Sequence, residues 1–328
     1  MSAVQPLLSV RDLKVHFNIA SESLLPWAPL RVLKAVDGIS FDIMPGETLG
    51  IVGESGCGKS TLARGLLNLI PATSGSIVWQ GQAMQSRDKD AWQSLRKSVQ
   101  MIFQDPLASL DPRMTVGRII AEPLKTHYPD MPMAEVMQKV RAMMARVGLT
   151  EPQINRYPHE FSGGQCQRIG IARALVLQPK LVICDEPVSA LDVSIQAQII
   201  NLLKELQAEM GLALVFIAHD LAVVKHISQR IMVMYLGHVM ELAQKDALYA
   251  DPRHPYTQAL LSAIPVPDPR RERNKTVQIL QGDLPSPINP PSGCTFRTRC
   301  PLVEARCAEQ TPELRALNRQ TQVACLVV

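Results

Sequence analysis

The sequence predicts an α/β protein built around a buried parallel sheet, and three observations carry that prediction. Short apolar runs rich in β-branched residues recur at Thr48 to Val52, Leu181 to Cys184, Leu214 to Ala218 and Ile231 to Tyr235, the pattern of strands covered on both faces. Helical periodicity lies between or after several of them, most clearly in Ile195, Ile199, Leu202, Leu203, Leu206 and Met210, which share one helical face. Hydrophobic residues fill 46% of the 328 positions and charged residues 20%, a balance that supplies a core and argues against disorder. Strand and helix alternation then selects an α/β core.

The periodic helix from Ile195 has Ser194 as its expected N-cap and Gly211 as its end. Between Pro106 and Pro158 the pattern turns amphipathic, as in Val136, Val140, Met143, Met144 and Val147, so a helical insert is expected to interrupt the core. From about Asp251 the chain becomes rich in proline and turn residues, as in PVPDPRRERNK and LPSPINPPSG, before four cysteines close it. That marks a separate, small and irregular appendage. The expected organisation is 1–105 for an N-terminal β part and the first half of the core, 106–165 for the helical subdomain, 166–250 for the second half of the core and 251–328 for the extension. The basic run Arg270, Arg271, Arg273 and Lys275 lies in linker-like sequence and reads as solvated surface.

A formal charge of +4 on a chain of this size does not point to nucleic acid. The longest apolar stretch, Leu212 to Ala218, falls far short of the roughly 18 to 20 residues of a membrane-spanning helix. The start, MSAVQPLLSVRDLK, lacks the basic and apolar regions of a secretory signal, so a cytosolic location is expected. In that reducing compartment the seven cysteines are expected to be free thiols or metal ligands.

The strand-like TLGIV leads directly into Gly53–Thr61, GESGCGKST, a complete GxxxxGK[ST] loop, and the loop leads into the helix-like TLARGLLNLI. Phosphate is polyanionic. Its binding needs inward N–H groups, glycines that allow close approach, and a helix N-terminus whose dipole favours negative charge. Gly53, Gly56 and Gly58 meet the need for glycine, with Glu54, Ser55 and Cys57 completing the cradle. Lys59 is expected to reach the β and γ phosphates, Ser60 to ligate Mg²⁺ and Thr61 to add a phosphate contact. At LVICDEP, Asp185 and Glu186 emerge at the C-terminal end of a buried strand. Asp185 is expected to hold Mg²⁺ and Glu186 to act as general base on the water that attacks the γ-phosphorus. Together the two motifs define a P-loop NTPase, a class that spans GTPases, kinases, helicases and transport motors.

A third element discriminates among these. At FSGGQCQRIGIARAL, Ser162, Gly163 and Gly164 precede a helix and form a second anion-binding terminus, followed by Gln165. This segment resembles the LSGGQ signature of the ABC-transporter ATPases, in the order and spacing of that family, and the resemblance covers about Leu8 to Ala250. It implies a RecA-like ABC ATPase core with a helical signature subdomain. Gln104 in MIFQDP resembles the Q-loop glutamine, a Mg²⁺ contact that faces the transmembrane partner. Ser189 to Asp192, SALD, resembles the D-loop, which crosses to the opposite subunit. His219 in FIAHD resembles the switch histidine, which would bind the γ-phosphate and position the attacking water. Phe17 in LKVHF resembles the aromatic that stacks on adenine, with Trp27 as a weaker alternative. The family resemblance further implies that each ATP is sandwiched between the phosphate loop of one subunit and Ser162, Gly163, Gly164, Gln165 and Asp192 of the other.

Three thiols fall inside motifs. Cys57 and Cys184 are expected to pack as small residues, Cys166 to weaken a contact across the dimer, and alkylation of Cys57 to block nucleotide entry. Cys294, Cys300, Cys307 and Cys325 lie in the proline-rich tail without the CxxC spacing of a zinc ribbon. With HPYTQALLSAIP and GCTFRTRCP they resemble the C-terminal extension of oligopeptide and dipeptide importer ATPases. That resemblance implies a [4Fe–4S] cluster on the four thiolates, with zinc and unligated thiols as the alternatives. It also implies an ATPase that drives peptide import from the cytoplasmic face of the inner membrane. The implied partners are a second, related ATPase, two permease subunits and, indirectly, an extracytoplasmic binding protein. A soluble ABC-type ATPase acting on DNA or ribosomes would carry two cassettes or a long coiled coil, and the chain has neither. A degenerate nucleotide site beneath a sensory tail conflicts with intact Lys59, Asp185, Glu186 and His219.

Overall fold

The computed structural model describes residues 5–19, 31–85, 88–265 and 268–328. In chain order, the N-terminal part holds β1 (Leu8–Ile19), β2 (Arg31–Ile43), β3 (Thr48–Val52), α1 (Lys59–Leu66), β4 (Ser74–Trp79), β5 (Gln82–Ala83), α2 (Lys89–Ser98) and β6 (Val99–Ile102). The middle holds α3 (Val116–His127), α4 (Met133–Arg146), α5 (Gly163–Leu175), β7 (Leu181–Asp185), α6 (Val193–Met210), β8 (Ala213–Ile217), α7 (Leu221–Ile227), β9 (Arg230–Tyr235) and β10 (His238–Gln244). The remainder holds α8 (Lys245–Ala250), α9 (Pro255–Ser262), α10 (Pro269–Arg273), α11 (Arg306–Glu309), β11 (Arg315–Ala316) and β12 (Thr321–Val323). Among the described residues, no helix is long and apolar enough to cross a membrane.

The chain forms two compact units. The first gathers residues 43–48 and 88–217. In it β6, β7 and β8 run parallel, with Val99 opposite Leu181 and Asp185 opposite Ile217. Every residue of β7 and β8 is buried, which is why these strands read as unbroken apolar runs rather than as alternation. The helical insert is α3 and α4; Val136, Val140, Met143 and Met144 form the buried face of α4, and Val147 caps its end. Helix α6 buries Ile199, Leu202, Leu203 and Leu206 as its periodicity requires. It begins at Val193 with Asp192 in the capping position, two residues earlier than the Ser194 cap predicts, and ends at Gly211, whose φ of 65° closes it.

The second unit gathers residues 5–42, 49–85 and 218–328. One sheet has the order β2-β1-β4-β5. The other runs β11-β12-β10-β9-β3, with β3 parallel to β9 and the remaining pairs antiparallel. Helix α1 stops at Leu66 although apolar residues continue to Ile70; Asn68 takes a φ of 51°, a left-handed conformation that asparagine tolerates and helices do not. The C-terminal segment is not a separate appendage. Its strand β12 pairs with β10, Glu241 opposite Val323 and Ala243 opposite Thr321, so the chain end completes a core sheet. A strand of three residues carries no period that a sequence can display.

Candidate nucleotide site

The phosphate loop follows buried β3 in the second unit. Close approach enforces two of its glycines. A Cβ at Gly53 would stand 2.2 Å from the Met234 carbonyl oxygen, and one at Gly58, whose φ is 104°, would stand 2.0 Å from that of Ala35. Gly56 and Ser55 lie on the exposed side of the loop. Lys59, only 4% exposed, folds its ammonium into the loop and donates to the carbonyls of Gly53 at 2.8 Å and Glu54 at 3.1 Å. Ser60 and Thr61 follow at half-buried positions in the first turn of α1. No side chain caps that helix and its first turn carries no acidic residue, so its positive end faces no competing carboxylate from its own turn.

Glu54 directs both its backbone and its side chain toward the C-terminal segment. Its N–H donates to the Tyr256 hydroxyl at 3.0 Å, and its carboxylate accepts from Arg299 Nη1 at 2.7 Å. Sequence reasoning singled out neither Tyr256 nor Arg299, because they stand 202 and 245 positions away. The only signal was their presence inside the quoted stretches HPYTQ and GCTFRTRCP.

Cys57 is 1% exposed, and burial pushes its thiol up against the opposing pull of the Lys59 ammonium. A buried protonated thiol is a poor nucleophile, so the expected alkylation has no ready access. Also in this unit, Phe17 is half-buried on β1 and His219 is exposed just before α7. Trp27 lies outside the described residues.

The first unit holds the acidic and signature elements. Asp185 ends β7 at 1% exposure. Glu186 follows with a φ of 46°, unusual for a non-glycine residue. Its backbone is fixed from both sides: the N–H donates to the Ile217 carbonyl at 3.1 Å, and the carbonyl accepts from the Ser189 hydroxyl at 3.1 Å. Gln104 Nε2 donates to Glu186 Oε2 at 3.0 Å, so the Q-loop candidate and the candidate base touch directly. Cys184 is fully buried in β7, its thiol raised by burial and by Asp185.

Helix α5 opens with a reciprocal capping box. Ser162 Oγ accepts from the Gln165 N–H at 3.4 Å, and Gln165 Oε1 accepts from the Ser162 N–H at 3.0 Å. Ser162 and Gly163 are exposed while Gly164 and Gln165 are half-buried. Asp192 is exposed ahead of α6. Cys166, expected at a dimer contact, instead points inward at 0% exposure with its sulfur 3.5 Å from the Pro158 carbonyl oxygen.

In the C-terminal segment Cys294, Cys307 and Cys325 are buried and Cys300 is half-buried. Burial pushes the Cys294 thiol up to about 11, with smaller contributions in the same direction from Cys307, Cys300 and Cys325. Among the described residues, no three His, Cys, Asp or Glu side chains are grouped to hold a metal ion.

Residues 36–189 match the ABC transporter family, and residues 240–307 match the oligopeptide/dipeptide transporter C-terminal region. The oligopeptide transport ATP-binding protein OppF of Escherichia coli is 62% identical over 98% of this chain and 96% of its own length. AppF of Bacillus subtilis, of the same description, is 53% identical over 98% and 97%. Among solved structures, a dimeric ATP-binding cassette in a post-hydrolysis state with ADP and Pi bound aligns at a TM-score of 0.64. It is 27% identical and covers 73% of this chain and 98% of its own. The chain therefore belongs to the family of ATP-binding subunits of oligopeptide ABC transporters.

Proposed function

We propose that this chain is the ATP-hydrolysing subunit of a peptide importer, working at the cytoplasmic face of the inner membrane. The observation that carries the reading is the direct bond between Gln104 and Glu186, 3.0 Å long, in a chain that also presents a complete phosphate loop around buried Lys59. Gly53 to Thr61 would cradle the phosphates, Phe17 would stack on adenine, and His219 would contact the γ-phosphate. Glu186 would take the proton of the attacking water as general base. Mg²⁺ favours hard oxygen donors, which the Ser60 hydroxyl, the Gln104 amide and the Asp185 carboxylate supply. When bound, it would neutralise charge on the phosphates.

Ser162, Gly163, Gly164, Gln165 and Asp192 would serve the nucleotide of a second, related ATPase, and that partner would serve this one. Exposed Phe103 and Leu107 flank Gln104 on both sides, which supports this surface as the one that docks on two permease subunits. A peptide would reach them through an extracytoplasmic binding protein. At the four cysteines a [4Fe–4S] cluster is the favoured cofactor. That choice rests on the resemblance of the segment: four thiolates would supply every ligand a cluster needs, and zinc is the alternative.

The test is ATP hydrolysis by the chain co-assembled with its membrane partners, compared with Glu186→Gln. Loss of a general base costs roughly 10²- to 10⁴-fold, so turnover should fall by that factor while nucleotide binding persists. Undiminished turnover in the variant, or activity stimulated by DNA or ribosomes instead of the partners, would overturn the reading.

A further inference from the structure

The phosphate loop leans on the segment that carries the cysteines. Arg299 lies one residue before Cys300, and its side chain is only 10% exposed. Its guanidinium reaches Glu54 Oε2 at 2.7 Å and sits 6.0 Å from the centre of the Tyr235 ring. Tyr256 takes the Glu54 N–H from the same side. Behind them Tyr235, Tyr256 and Phe296, each fully buried, pack at ring-centre distances of 4.9 to 5.3 Å. Phe296 stands between Cys294 and Arg299, so the cluster ties the cysteine-bearing turn to this network. Within the loop, the Glu54 carbonyl accepts from Lys59 Nζ at 3.1 Å and from the Cys57 N–H at 3.2 Å. Glu54 is thus bound by its N–H, its carboxylate and its carbonyl at once. Arg299 therefore contacts a residue that, with Gly53, holds Lys59.

We propose that Arg299 is a positioning residue for nucleotide binding: its ion pair with Glu54, together with the Tyr256 hydroxyl, fixes the phosphate loop and couples it to the cysteine-bearing segment. The proposal rests on the reading that this loop binds ATP. Because the ion pair is largely withdrawn from water, removing one partner strands the other, whereas removing both does not. The coupling is reciprocal, so nucleotide must steady the cysteine segment as much as that segment steadies nucleotide.

The experiment uses the full chain as purified, with Mg·ATP titrated calorimetrically and amide exchange followed over residues 293–300. Arg299→Gln should raise Kd about tenfold, Arg299→Lys should restore it to within roughly threefold of wild type, and Glu54→Gln with Arg299→Gln together should bind no worse than Arg299→Gln alone. ATP should slow exchange over 293–300 in wild type and not in Arg299→Gln. An unchanged Kd in Arg299→Gln, or losses that simply add in the double variant, would overturn the proposal. Should Arg299→Gln fail to fold, Glu54→Gln decides alone: an unchanged Kd with ATP still slowing exchange over 293–300 refutes the coupling. If wild type itself binds no ATP, the nucleotide reading fails and the proposal falls with it. Binding by wild type with indifferent variants removes only the proposal.

Discussion

Two helices of this protein begin on glycine-rich motifs, and they are built differently. Helix α1 starts behind Gly58 with no side-chain cap, and beside it Lys59 is buried and bonded to loop carbonyls. Helix α5 starts behind an exposed serine whose hydroxyl and N–H are already exchanged with Gln165. Both ends carry the positive pole of a helix dipole. The first presents it at a loop that tertiary contacts hold in shape. The second satisfies itself locally, so an anion arriving there must share or displace the capping bonds. A self-capped, exposed terminus suits a surface that would meet a phosphate only when a partner brings it, while a loop filled by a buried lysine suits tight binding within one chain.

The largest expected effect separates the two termini. Lys59→Ala removes a buried ammonium and its charge-assisted bonds, worth about 1.5–3 kcal/mol each, and should weaken ATP binding by the isolated chain on the order of a hundredfold or more. Ser162→Ala should leave that affinity unchanged. Calorimetric titration of both variants checks this, and comparable losses in the two would erase the distinction.

How legible this was depended on the range of the interaction. Strands β3, β7 and β9 announced themselves because a strand buried on both faces is a continuous apolar run, and Gly53 to Thr61 and Ser162 to Gln165 because each motif is contiguous. The end of α1 was missed because Leu69 and Ile70 extend the apolar pattern past Asn68, where the backbone turns left-handed. Leu69 is in fact exposed. The strand pairing of the chain end with β10, and the grip of Arg299 and Tyr256 on Glu54, were illegible because they join positions tens to hundreds of residues apart with no local period. The motifs were local and visible, but the long-range contacts that hold them in place were not.

A third helix start sharpens the comparison through pH. Helix α9 is capped by His254, whose Nδ1 accepts from the Tyr256 N–H at 3.0 Å, and the ring is 1% exposed. It can accept only while neutral, and burial lowers its pKa to about 4. The unfolded chain, with histidine near 6.5, binds this proton first as pH falls. The stability from keeping His254 neutral is therefore fully present above about pH 6.5 and is lost progressively toward pH 4. Between pH 7.5 and 5 the loss should be about 2 kcal/mol from this group. Urea unfolding at the two pH values measures it, and His254→Gln should lose that increment of pH dependence. The hydroxyl cap of α5 does not titrate, so Ser162→Ala should shift stability equally at both pH values.

The smallest effect tests the self-capping of α5. Replacing an N-cap serine by alanine costs about 1 kcal/mol, a fall of roughly 2–4 °C in Tm for a domain of 150–250 residues. Gln165→Ala removes the returning half of the box and should cost less, because the Ser162 hydroxyl can still accept the N3 N–H. Since the two side chains serve each other, the double variant should fall short of the sum of the singles. Additive losses would mean that Ser162 and Gln165 act separately. Were α5 then capped no more firmly than α1, its serine would need no partner's phosphate to draw it out of a local bond, and the two termini would differ only in the lysine that one of them has.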